Sequence, residues 1–294
     1  MGRLLRGPAL FFDAYVPSHR VSFLCMSREL LEVALEIARE AGELLLQYVG
    51  GPFAVEKKGK IDLVTDADRA SERLILQRIQ EHFPEDAILA EEGGGRGGRN
   101  APGRLWVVDP LDGTTNFAHG LPIWAVSIGV LEDGVPMAGV VHDPSRGETF
   151  SGLRGQGAFL NGRPIQASTA TDLSEALLVT GFPYDVHTAS ANNVDHFSSF
   201  VKQARAVRRL GSAALDLCYV GCGRFDGFWE MRLHPWDVAA GGVIASEAGA
   251  VITDFAGADW DVFGSEFLVS TTGIAPAMRE VLLDGRRPGG LESA

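Results

Sequence analysis

The chain is poor in cysteine: three among 294 residues, an odd number, with Cys218 and Cys222 one helical turn apart. That count excludes a disulfide framework and fits small buried residues in a reducing compartment, so a cytoplasmic protein is expected. Basic residues are also in deficit. Lysine and arginine number 26 against 38 aspartates and glutamates, a formal charge of −12. No surplus remains to neutralise a phosphate backbone, and direct nucleic-acid binding is not expected despite a local group at Arg205, Arg208 and Arg209. Long apolar runs are missing too: none approaches the roughly 20 residues of a membrane-spanning helix. His119 and His234 each lack a spaced histidine or cysteine partner, which favours structural hydrogen bonding over metal ligation. Internal repeats are absent, and the one low-complexity stretch, GGGRGGRNAPG at 93–103, reads as a flexible loop.

What is present describes a globular protein. With 46% apolar residues the chain can bury a substantial core, as one large or two ordinary domains. The opening MGRLLRGPALFFDAYVPSHRVSFLC is basic and partly apolar, yet Asp13, Pro17 and Arg20 interrupt any signal-peptide core. Arg6 stands where a myristoylation signal needs serine or threonine. Residues 1–26 are therefore expected to be a disordered N-terminal extension, with Ser27 capping the first helix. Leu30, Val33, Ala34, Ile37, Ala38, Ala41, Leu44, Leu45 and Tyr48 then recur at helical spacing until Gly50-Gly51-Pro52. A charged loop, EKKGK at 56–60, precedes Thr65-Asp66-Ala67-Asp68, which has the form of a capping box opening a second helix that Pro84 closes.

Short apolar runs follow at Ile88–Ala90 and Leu105–Val108, then a long pair from Ala125 to Val141 joined by Glu132-Asp133-Gly134, a hairpin signal. Beyond a second turn at Asn161-Gly162, strand-like AVRRL, helix-like SAALDLCYVG, strand-like FDGFWE, helix-like DVAAGGVIASEAG and strand-like AVITDF alternate. That alternation predicts an α+β half over 27–160, an α/β half over 161–285 and a tail over 286–294.

The chemistry gathers in WVVDPLDGTTNFAHG, residues 106–120. A strand delivers its last residue to a sheet edge where loops meet; Pro110 is expected to end pairing and turn the chain, so that Asp109 and Asp112 face one small volume. Two carboxylates about 4 Å apart repel by roughly 4 kcal/mol at an effective dielectric of 20, which a cation would relieve. Gly113-Thr114-Thr115 directly behind them offers bare backbone N–H groups to a second anion, as a phosphate-binding turn requires. Carboxylates for metal beside amides for phosphate suggest phosphoryl chemistry. All-oxygen ligands favour Mg²⁺ or Mn²⁺ over zinc.

These residues resemble the inositol monophosphatase family, magnesium-dependent and lithium-sensitive phosphatases that share a layered fold with fructose-1,6-bisphosphatase. The resemblance covers about residues 27–285. Besides WVVDPLDGTTNFAHG it rests on PWDVAAGGVIASEAG at 235–249, AEE at 90–92 and DLVTDAD at 62–68, all in family order. It implies a layered αβαβα fold and a homodimer. It further implies that Glu91, Asp109 and the Leu111 carbonyl bind a first metal, and that Asp109, Asp112 and Asp237 bind a second. Thr114, aided by Asp68, would position the attacking water, Glu91 would share in catalysis, and Gly113 and Thr114 would hold phosphate. Lys57 matches a mobile loop near a third metal site. The reaction implied is in-line attack of water on a phosphate monoester.

Each acid has an ordinary alternative: Asp68 as a capping-box residue, Asp237 as the cap of the helix from about Val238, Glu91 and Glu92 as an exposed loop pair, Asp112-Gly113 as a turn. What those alternatives leave unexplained is why acids end three separate apolar segments. In 208–237, GSAALDL and FWEM look like inositol monophosphatases, which implies that Gly211, Ser212, Ala213, Asp216 and Glu230 line the substrate pocket, Glu230 accepting from a ring hydroxyl. Arg208 and Arg209 are alternatively interface residues. Relatives with the same acids hydrolyse fructose 1,6-bisphosphate, histidinol phosphate or phosphoadenosine phosphate, and some bacterial relatives double as partners of the transcription machinery; both remain alternatives to an inositol monophosphatase.

Overall fold

Two stacked sheets, with helices between and outside them, make up the fold in a computed structural model that describes residues 18–51, 55–57, 63–93, 95 and 97–284. Helix α1 (Ser18–Tyr48) leads to a ribbon of β1 (Val55–Lys57) and β2 (Leu63–Thr65), then to α2 (Asp66–His82), β3 (Ala87–Ala90), β4 (Arg104–Asp112) and α3 (Thr114–Ala118). Strands β5 (Ala125–Glu132), β6 (Val135–Asp143), β7 (Glu148–Leu153), β8 (Gly157–Leu160) and β9 (Arg163–Ile165) follow. The remainder supplies β10 (Leu177–Thr180), α4 (Val194–Gln203), β11 (Ala206–Arg208), α5 (Ala213–Gly221), β12 (Gly227–Met231) and α6 (Pro235–Glu247). It ends in β13 (Val251–Thr253), β14 (Glu266–Ser270) and α7 (Ala275–Asp284).

Strands β3 to β9 form a seven-stranded sheet in sequence order, antiparallel except for the β3–β4 pair. The second sheet has the order β11-β10-β12-β14-β13 and is parallel on its β11-β10-β12 side. Strand β4 is buried on both faces, and its alternation sorts the core into layers. Trp106 and Val108 pack with Leu30, Ile37 and Leu45 of α1 and Ile75 and Ile79 of α2. Leu105 and Val107 face the opposite way, into a core with Leu217 of α5, Ile244 of α6 and Phe228 and Val269 of the second sheet. The far side of that sheet packs Leu178 and Trp229 against Phe200 of α4 and Met278 of α7. The result is the expected layered αβαβα arrangement.

Both hairpin signals form two-residue turns: Asp133-Gly134 and Asn161-Gly162 have positive φ at both positions, as the twist of the flanking strands requires. The capping box forms as well, Thr65 accepting from the Ala67 and Asp68 N–H groups while Asp68 accepts from Thr65 N–H. Two local expectations need correction. The first helix does not begin at Ser27 but runs from Ser18, because no proline or glycine after Pro17 stops it there. Residues 1–17 of the expected extension, Lys58–Lys60 of the charged loop and the tail lie outside the described residues. Pairing also continues past Pro110, as described below.

Helix α6 lies unusually close to the seven-stranded sheet. Gly129, Gly139 and Gly152 stand opposite one another on β5, β6 and β7, and a Cβ on them would meet Ala239 Cβ, Ala240 O or Ile244 Cα at 2.7, 2.3 and 3.0 Å. This row of missing side chains is the seat of the helix. Gly139→Ala should therefore lower Tm by several degrees, since overpacking of this kind costs about 1–3 kcal/mol. Thermal unfolding followed by circular dichroism checks it; an unchanged Tm would mean that the helix moves off the sheet at no cost.

Candidate active site

The opening acid pair sits at a bulge in β4. Asp109 pairs with Ser127 and Asp112 with Ala125, so three steps on one strand match two on the other. Proline lacks the N–H that regular pairing needs, and a bulge is where a sheet tolerates it; the strand bends there instead of ending. The extra residue brings two carboxylates three positions apart to one side. Asp109 is 2% exposed and accepts from Leu111 N–H at 2.9 Å. Asp112, 8% exposed, accepts from Ser212 Oγ at 2.6 Å and Ala214 N–H at 2.8 Å, at the first turn of α5.

A third acid comes from α6. Asp237 is the third residue of that helix, and its Oδ2 accepts from His234 N–H at 2.6 Å. One carboxylate oxygen from each of Asp109, Asp112 and Asp237 lies within 4.8 Å of the others. Glu91 follows β3 directly, its N–H donating to Val108 O at 3.2 Å, and its charge acts on both Asp109 and Asp237. The bulge is anchored from the other face of the sheet: Ser71 Oγ of α2 donates to Pro110 O at 2.8 Å, and Glu72 accepts from Glu92 N–H at 2.8 Å.

Electrostatically the cluster is costly. Burial, then the charges of Glu91, Asp112 and Asp237, holds the Asp109 carboxyl well above the ordinary carboxylate range. Burial pushes Asp112 up to about 6 despite the donors at Ser212, Ala213 and Ala214. Asp237 is likewise raised well above its ordinary value, by burial and then by Asp112. A divalent cation would reverse each shift, and the donor set fits a hard ion: carboxylate oxygens with the Leu111 carbonyl between them in sequence.

Gly113 joins β4 to α3 at φ 93°, a conformation that glycine adopts freely, and a Cβ there would approach Ile123 O at 2.9 Å. Next to it, Thr114 Oγ1 lies 2.9 Å from Asp68 Oδ1 and 3.0 Å from Leu111 O. Its single proton serves one acceptor at a time. Asp68 is fully buried, and burial raises its carboxyl against the donors Thr65 and Thr114.

The cleft in front of these groups is lined by Gly211, Ser212, Ala213, Asp216 and Glu230 together with Gly113 and Thr114. Ser212 spends its hydroxyl on Asp112. Burial lifts Glu230 to about 8, Arg209 opposing, and holds Asp216 well above its ordinary range. Lys57 lies in β1 opposite Leu63, and its side chain is outside the described residues. Sequence reasoning missed the wall formed by Gly181 to Tyr184 and the place of Arg209, considered above for an interface, beside the acids. The first carries no local signal; the second adjoins GSAALDL, which is a signal of position. His234, at the rim, stacks on Trp236 with ring centroids 4.8 Å apart.

The chain is similar to known proteins over most of its length. The profile of the inositol monophosphatase family matches residues 26–284. An inositol-1-monophosphatase of Synechocystis is 47% identical over 226 residues, 76% of this chain and 78% of that protein. The Nus factor SuhB of Escherichia coli is 44% identical over 230 residues, 78% of this chain and 86% of its own. The structure of an inositol monophosphatase from Anabaena superposes with a TM-score of 0.80 at 41% identity, covering 87% of this chain and 96% of that one. The acid cluster thus stands in a chain that belongs to the inositol monophosphatase family and is a phosphatase.

Proposed function

We propose that the chain hydrolyses inositol monophosphates to inositol and inorganic phosphate with Mg²⁺, two or three ions, as its cofactor. The observation that carries this reading is the meeting of Asp109, Asp112 and Asp237, from a strand bulge and a helix start, beside the Gly113-Thr114 turn. Glu91, Asp109, the Leu111 carbonyl, Asp112 and Asp237 would hold the ions. Bound there, divalent ions supply Lewis acidity and lower the pKa of water.

The chain's own groups do the rest. Asp68, fixed by Thr65, takes the Thr114 hydroxyl proton in a hydrogen bond and leaves the lone pairs of Oγ1 to orient a water. Backbone N–H groups of Gly113 and Thr114 receive the phosphate oxygens. Glu230, whose carboxyl burial raises to about 8, hydrogen-bonds a ring hydroxyl. Gly211, Ser212 and Ala213 form the wall beside it. No helix among the described residues is long and apolar enough to cross a membrane, and the free cysteines Cys218 and Cys222 fit a reducing cytoplasm. The family resemblance adds a homodimer and inhibition by lithium to the proposal.

A second reading has specific support, the 44% identity to a protein named as a Nus factor. In it the chain would also serve as a partner of the transcription machinery, and binding would survive loss of the metal site.

Phosphate release should be measured on inositol 1-phosphate, fructose 1,6-bisphosphate, histidinol phosphate and phosphoadenosine phosphate with Mg²⁺. The proposal expects the highest kcat/KM on the first; a wide margin for another ester would replace it. Asp109→Asn should cut kcat by roughly 10³-fold or more, several kcal/mol of barrier. Ionising the raised Asp109 carboxyl costs the metal-free fold, so without metal this variant should melt no lower than the parent, while the rise in Tm on adding Mg²⁺ should shrink. Near-normal turnover with a full Mg²⁺ shift would remove Asp109 from the site. Glu230→Ala, which removes donor and acceptor together, should lower kcat/KM on inositol 1-phosphate by about five- to thirtyfold and affect 4-nitrophenyl phosphate less. Equal losses on both esters would place Glu230 elsewhere in the chemistry.

A further inference from the structure

The loop between β10 and α4 begins at the cleft, where Gly181 to Tyr184 form a wall, and ends at Asn193. Asn193 is 3% exposed and has φ 72°, a left-handed conformation that costs a non-glycine residue energy unless its surroundings hold it. Here the side-chain amide provides the hold. Nδ2 donates to Thr180 Oγ1 at 2.9 Å and to Gly181 O at 2.6 Å, and Oδ1 accepts from Trp229 Nε1 at 2.7 Å. Asn193 therefore ties the far end of the loop back to its own beginning and to the next strand.

The anchoring points are placed where they affect the cleft. Thr180 and Trp229 are partners across β10 and β12, and Thr180 Oγ1 also donates to Trp229 O. Each is followed directly by a residue of the cleft, Gly181 after Thr180 and Glu230 after Trp229. Those two residues meet: a Cβ on Gly181 would come within 2.2 Å of Glu230 Oε1, so the carboxyl occupies the room that the glycine leaves. Any drift of the loop moves Gly181 away from Glu230 and the Phe182–Tyr184 wall away from the cleft. The acids that would hold metal lie on β4, on α6 and directly after β3, which this network does not touch.

We propose that Asn193 is a positioning residue for recognition of the leaving alcohol: its amide clamps residues 181–193 onto β10 and β12 and so sets the contact of Gly181 with Glu230 and the wall facing the ring. The proposal rests on the reading of the cleft given under Proposed function. It separates two halves of the site, a metal and phosphate half that the clamp leaves alone and an alcohol half that depends on it.

Asn193→Gly tests this, because glycine adopts the left-handed backbone without strain and removes the amide with the rest of the side chain. KM for inositol 1-phosphate should rise roughly tenfold, the effect of losing one or two positioning hydrogen bonds. On 4-nitrophenyl phosphate, which has no ring hydroxyls, kcat/KM should change by less than about twofold, and the Mg²⁺-induced rise in Tm should match the parent's. Trp229→Phe is the second variant: it keeps an aromatic ring beside Phe200, 4.0 Å away between centroids in the parent, and removes the indole N–H together with the rest of the larger bicycle. It should shift KM in the same direction by less, and it serves if the glycine variant does not fold. Equal losses on the two esters, or an unchanged KM for inositol 1-phosphate, would overturn the clamp. A parent that does not itself prefer inositol 1-phosphate would overturn the reading of the cleft, and the clamp with it.

Discussion

Three carboxylates with oxygens within 4.8 Å of one another, two of them almost fully buried, are the constraint around which this fold is organised. Two such charges repel by roughly 3 kcal/mol at an effective dielectric of 20, before the cost of taking each from water. Local donors offset part of this: Leu111 N–H for Asp109, Ser212 and Ala214 for Asp112, His234 N–H for Asp237. They do not suffice, since all three carboxyls remain raised. A bound cation would balance them.

Holding the acids together despite that repulsion requires rigid elements close on both faces of β4. On one face α6 is seated against the glycine row of β5, β6 and β7, which brings its first turn, and Asp237 with it, down to the sheet. On the other, α2 presents Asp68, Ser71 and Glu72 on one side of the helix. They hold Thr114, the Pro110 carbonyl and the Glu92 N–H respectively. The bulge at Pro110 is thus pinned from below while α5 and α6 close from above. Apolar burial on both faces of the sheet supplies the energy that the acids consume.

Much of this was legible in the sequence because it is local. The capping box at Thr65, the Asp133-Gly134 and Asn161-Gly162 turns and the period of α1 from Leu30 to Leu45 follow from neighbouring residues alone. The acids of WVVDPLDGTT could be singled out because they end an apolar run. What was not legible depends on partners distant in the chain. Whether Pro110 ends a strand or bends it is decided by Ala125 and Ser127 on β5. The wall from Gly181 to Tyr184 has no sequence pattern because its shape is set by Asn193, Thr180 and Trp229 together.

The ordinary and the chemical readings of the acids turn out to be compatible. A capping bond engages one oxygen of a carboxylate. Asp237 accepts at Oδ2 from His234 N–H, and Asp68 accepts at Oδ2 from Thr65 N–H and at Oδ1 from Thr114 Oγ1. The cap fixes the plane of the group and, at Asp68, leaves the other oxygen to Thr114. A helix N-terminus is also where a negative charge is best tolerated, by up to about 1 kcal/mol at ordinary exposure. Capping is therefore the means by which these helices hold a buried acid at fixed orientation: an alanine at 68 would remove the partner of Thr114, and one at 237 the acid that meets Asp109 and Asp112.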